Sequence, residues 1–165
     1  MEKFQEVREK AKKNIKIADH MLTVTFPLVK DTKLLLSVIE NIFLGYTNAI
    51  AALLYYERLF KKIPPFQETF ESKFNMFRDR CVKKHNIDKS YIIEVQDIRD
   101  IILEHRKSPI EFKRGDKFVI CSDDYNIKSV SAQDIKKYVD KAKVFIEQID
   151  TIVSENDRLF RPIEE

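Results

Sequence analysis

The stretch Arg99-Asp100-Ile101-Ile102-Leu103-Glu104-His105-Arg106-Lys107 holds an arginine and a histidine whose chemistries are complementary. A histidine titrates near neutral pH, so it can move a proton to or from a ribose hydroxyl or a leaving oxygen. An arginine can hold a phosphate in two hydrogen bonds and stabilise the charge that develops on it. Val95, Gln96, Ile102 and Leu103 occupy the helical pairing positions around Arg99, so no acid on its own helix neutralises it. Arg106, Lys107, Lys113, Arg114 and Lys117 follow within a short span. This set suits RNA binding or metal-free RNA cleavage. A plainer alternative has Arg99 solvated, His105 as a partly buried capping residue, and the cations paired loosely with Glu104, Glu111 and Asp116.

Other chemistries find little support. Gly 2 in 165 residues leaves no glycine-rich phosphate loop, no dinucleotide fingerprint and no Gly-x-Ser-x-Gly elbow, so no nucleotide cofactor is expected. A carboxylate-bridged metal site in a helical bundle needs Glu-x-x-His pairs, and neither His20, His85 nor His105 has a glutamate three residues before it. Glu40 stands alone as an inward-facing acid candidate. Cys81 and Cys121 lack partners at zinc or redox spacing and read as thiols of a reducing compartment.

Helices must position these residues. The chain is 44% hydrophobic and 35% charged, with few glycines and prolines, which predicts a mainly α domain rather than a sandwich or a disordered chain. At this length folding buries roughly 70% of the surface of the unfolded chain, enough for a full core. Phe4, Val7, Ala11, Ile15, Ala18 and Leu22 predict a first helix from Glu2 to Thr23, broken by Phe26-Pro27. A second helix, capped by Asp31 or Thr32, is predicted to run to about Lys62, before Ile63-Pro64-Pro65. Its core, Leu34 to Tyr56, is long enough to span a bilayer. It carries Glu40, Asn41 and Asn48, and its two apolar stripes suit the central helix of a bundle.

A third helix over Phe66 to Lys84 and a fourth over Lys89 to Arg106, capped by Asp88, follow by periodicity. The period then changes. Glu111 to Lys113, Lys117 to Cys121 and Ile127 to Val130 read as short extended pieces, a β-hairpin or three-stranded flap that must lie on the bundle. Ser131 caps the last helix, whose buried stripe is Ile135, Val139, Ala142, Ile146, Ile149 and Val153. The expected architecture is one antiparallel bundle of about five helices over residues 1–155, with a flap at 110–130 and a loose tail at 156–165.

A helical bundle in which Arg-Asp is followed five residues later by His resembles the HEPN superfamily. That resemblance covers the bundle but not the flap. It implies a metal-independent endoribonuclease completed across a homodimer, with Arg99 and His105 as the catalytic pair and Asp100 as the polar residue that orients them. The superfamily also includes inactive members that bind RNA or serve in assembly. The superfamily pattern allows four to six residues before the histidine, and Arg80 and His85 also satisfy it, without the polar residue after the arginine.

Two rival classes stand beside the RNA reading: a non-catalytic scaffold that binds protein through the flap or an apolar face, and a small-ligand sensor with the flap as lid. A net charge of +3 is compatible with nucleic acid without arguing for it. The charged N-terminal stretch has no signal-like apolar run, so a cytoplasmic location without membrane insertion is expected.

Overall fold

A computed structural model describes residues 1–107, 111–114, 117–121 and 127–155. Helix α1 spans Lys3–His20, α2 Phe26–Val29, α3 Lys33–Leu59, α4 Phe70–Met76, α5 Ser90–Lys107 and α6 Ala132–Ser154. Between α5 and α6 lie strands β1 (Glu111–Arg114), β2 (Lys117–Cys121) and β3 (Ile127–Ser131), paired antiparallel in that order. The fold is mainly α, a helical bundle with a small β flap before its last helix.

Helix α3 is the axis. It packs against α1, α4, α5 and α6, and both of its apolar stripes are used: Ile39, Tyr46, Ile50 and Leu53 are buried, as are Val38, Ile42, Ala49, Ala52 and Tyr56. By length and composition it is apolar enough to cross a membrane, and in this fold its apolar faces are covered by other helices. Side-chain contacts set the directions. Phe4 meets Tyr56 and Asn14 bonds Asn48, so α1 runs antiparallel to α3. Tyr46 reaches Glu94 while Glu40 shares a groove with Arg106, so α5 is antiparallel to α3 as well. Gly45 permits the close approach of α1 and α6: a Cβ there would sit 3.3 Å from Ile146 Cδ1 and 3.7 Å from the Ala11 carbonyl oxygen.

Phe26-Pro27 does not end the first helical run as expected. A wide π-helical turn over Met21–Thr25, in which the Phe26 N–H reaches the Met21 carbonyl, carries the chain into α2 with Pro27 in its first turn. Pro27 has no N–H to give the preceding turn, and the wide π-helical turn before it is the kind of local adjustment by which a helical run passes a proline. The third helix also differs from expectation. It begins at Phe70, not Phe66, because Thr69 Oγ1 accepts the Ser72 N–H at 3.2 Å and Glu68 is drawn to the Tyr55 hydroxyl and Lys73. It gives way to a second π-helical turn over Phe77–Cys81.

Three helical runs end on left-handed residues that are not glycine: Lys30, Lys61 and Asn86. Lys62 N–H to Glu57 C=O (2.9 Å) and Ile87 N–H to Val82 C=O (2.9 Å) close Schellman turns around the last two. The Ser131 cap of α6 forms, with Ser131 and Asp134 bonding reciprocally, and the whole expected α6 stripe is buried. Asp88 Oδ1 accepts the Ser90 N–H at 2.8 Å, so its expected capping role is observed too. The expected loose tail, residues 156–165, lies outside the described residues.

Candidate functional site

Helix α5 is a regular α-helix through Lys107, so positions six apart point about 120° apart around it. Arg99, Leu103 and Arg106 therefore share one face and His105 belongs to another. On the Arg99 face a groove of about 330 Å³ opens against Phe43 and Leu44 of α3 and Phe70 of α4. The Arg99 guanidinium lies 4.4 Å from the centre of the Phe70 ring, and its Nη2 donates to Glu71 Oε1 at 2.5 Å. A hydrogen bond from its own backbone amide and the contact with Arg99 hold the exposed Glu71 carboxyl below the usual carboxylate range.

Glu40 lines this groove as an exposed residue. The expectation of an inward-facing acid is corrected, because Ile39 and Ile42 take the core-facing positions beside it. Asp100 is exposed, His105 half-buried and Arg106 exposed, while Lys107 ends the helix. Lys113 and Arg114 fall on β1 and Lys117 on β2, with Arg114 directly opposite Lys117. Strand β2 packs on α3 and α5, which brings the flap against the helix that carries Arg99 and Arg106. The structure thus places Arg99 and Arg106 in one groove. It separates His105 from Arg99 within a single chain.

The second arginine–histidine pair is not arranged as a site. Arg80 is exposed on the π-helical turn, whereas His85 Nε2 contacts Oε1 of Glu57. Lys84 Nζ donates to Glu57 Oε2 at 2.6 Å. Burial pushes the fully buried Glu57 carboxyl up, but Lys84 and His85 outweigh it and hold the group below its ordinary value. Beside it Cys81 is buried, and burial with the Glu57 charge pushes its thiol up to about 12. Such a thiol is inert near neutrality. His85 anchors a helix end; it is not presented to a ligand.

Glu94 of α5 is the other buried acid, 8% exposed and bonded by the Tyr46 hydroxyl. Burial lifts its carboxyl above the ordinary range, against the pull of Tyr46 and Lys141. A raised folded value means that stability is lost as the pH climbs from the ordinary carboxylate value through the raised one. Glu94→Gln keeps an acceptor for Tyr46 and does not titrate. Its stability relative to the parent should therefore rise in urea melts as the pH climbs above the ordinary carboxylate value. A constant difference over that climb would mean that Glu94 does not ionise against a burial penalty.

Sequence reasoning did not find Phe70 and Glu71 as partners of Arg99, because they lie 28 and more residues away on another helix. Glu57 left only a faint trace, a lone acid at the end of the apolar run Ala-Leu-Leu-Tyr-Tyr. Among the described residues no three His, Cys, Asp or Glu side chains gather as a metal site. Comparison of the chain with family models, curated proteins and solved structures gives no match.

Proposed function

We propose that the chain is a HEPN-like module that binds single-stranded RNA and works as a homodimer. The observation that supports this reading is the α5 groove, where Arg99 and Arg106 stand beside Phe43 and Phe70. Cations that track a backbone are the usual equipment for single strands; here Arg99 covers a face of the Phe70 ring and is held by the exposed Glu71, which a phosphate would have to displace. Cleavage by such a module places Arg99 of one copy and His105 of another on the same phosphate. The ribose 2′-oxygen then bonds to phosphorus, the 5′-oxygen leaves, and histidine carries the proton between them.

A mixing experiment tests this arrangement. Arg99→Ala and His105→Ala are each expected to be inactive towards RNA. An equimolar mixture should recover roughly a quarter of the parent rate, since half of the dimers are mixed and each carries one intact composite site. Activity that stays lost on mixing, with both variants folded and dimeric, contradicts the shared site. A scaffold role is the second reading, favoured by Leu28, which is 81% exposed on α2 beside the exposed Val29. It predicts that these variants change nothing measurable with RNA.

A further inference from the structure

Between the end of α3 and the middle of α4 the chain runs over the surface as a strap. Ile63 and Phe74 at its two ends are buried, and none of residues 64–73 is. Half-buried Phe66 stacks on Tyr55, ring centres 5.9 Å apart, and half-buried Phe70 lies 5.5 Å from Phe43. Among the described residues, the strap's hydrogen bonds and ion pairs to other elements run through two exposed carboxylates, Glu68 and Glu71. A segment with so little buried surface opens at low cost.

Those two acids hold cations from every side. Glu71 takes Arg99 of α5. Glu68 accepts the Tyr55 hydroxyl at 2.6 Å and Lys73 Nζ at 2.9 Å, with Arg58 of α3 at 3.7 Å and Lys3 of α1 at 3.8 Å. Tyr55 and Lys73 hold its carboxyl down at about 2, so it is anionic near neutrality. Tyr55 is itself 6% exposed, and Lys3, Arg58 and Lys73 stand 4.5, 4.9 and 5.3 Å from the centre of its ring. One carboxylate is thus shared by three cations, and the excess charge is positive.

The same cations line adjoining hollows along α3. Tyr55 and Lys73 line one of about 270 Å³, which shares Phe43 and Phe70 with the Arg99 groove. Tyr55 also lines the next, of about 290 Å³, with Lys3 and Arg58. From Leu44 to Leu59 the row follows α3 for about 22 Å, room for several nucleotides. Each ion pair of the strap is exposed and therefore weak, and a phosphate offers the same donors a stronger partner.

We propose that the strap is an autoinhibitory cover: Glu68 and Glu71 occupy the phosphate positions of a single-stranded RNA laid along α3, and the RNA must displace them to bind. This rests on the RNA reading of the α5 groove and extends that site to Lys3, Arg58 and Lys73. The test is fluorescence anisotropy of a labelled, unstructured RNA with the parent, Glu71→Gln, the double variant Glu68→Gln/Glu71→Gln, and Glu40→Gln. Glu40 lines the Arg99 groove and forms no ion pair among the described residues, so its variant removes a charge without releasing a cation. Both strap acids are exposed and the change is isosteric, so melting temperatures should stay near the parent's. The double variant should bind RNA about tenfold more tightly than the parent at low salt, and Glu71→Gln should gain more than Glu40→Gln. A double variant no tighter than a parent that binds, or equal gains from Glu71→Gln and Glu40→Gln, would overturn the cover and leave the RNA reading standing. RNA ignored by the parent and the double variant alike would overturn both.

Discussion

Replacing Lys84 and His85 together by alanine is expected to lower stability by about 3 kcal/mol. Glu57 is 0% exposed, and both of its basic side-chain partners come from that one turn. Breaking a buried pair costs about 3–5 kcal/mol when a charge is left uncompensated, and the two truncations here admit some water, which favours the low end. Adding Glu57→Gln to the double variant should restore much of the loss, since no charge then remains to be desolvated. The pH dependence has a defined sign. The carboxyl of Glu57 is held below its ordinary value, so its contribution is full above the ordinary carboxylate range and disappears as the pH falls through the lower folded value. Parent and double variant should converge in acid. Urea melts of the three proteins across pH check this, and a double variant as stable as the parent near neutrality would mean that Glu57 is not clamped. The result also bears on function, because a His85 committed to Glu57 leaves Arg99 and His105 as the only arginine–histidine pair worth testing against RNA.

Phe145→Ala should cost about 3–5 kcal/mol. The Phe145 side chain is fully buried, and its ring centre lies 5.1 Å from that of Tyr46, 4.9 Å from that of Tyr91 and 5.9 Å from that of Phe77. One side chain of α6 thereby joins α3, α5 and the second π-helical turn, and no small shift of one helix can fill the space left behind. Set against a typical total of about 5–15 kcal/mol, the loss is a large share of stability. A denaturation midpoint almost unchanged from the parent would contradict the placement of α6 at the centre of these rings.

What could be read in advance divides along physical lines. The α6 stripe, its Ser131 cap, the Asp88 cap and the change of period at residue 111 are local patterns, and each appears in the fold. Pro27 misled because a wide π-helical turn before it carries the helical run past the proline, a local adjustment that residue type and spacing do not announce. Phe66 misled because Glu68 prefers Tyr55 and Lys73 to a place in a helix, a contact that spacing cannot reveal. The site follows the same division. Arg99 and Arg106 share a face by helical arithmetic alone, whereas Phe70 and Glu71 are set by tertiary neighbours.

The claim that the α5 groove holds single-stranded RNA is tested most directly by fluorescence anisotropy of a labelled, unstructured RNA titrated with the full chain at several salt concentrations. The account predicts saturable binding whose logarithm falls linearly with the logarithm of salt, by about 0.7 for each phosphate contacted. Arg106→Ala should reduce that slope by about one contact and weaken all sequences alike, since phosphate contacts carry no base information. No binding at low salt, or binding indifferent to Arg99→Ala and Arg106→Ala in folded protein, contradicts it.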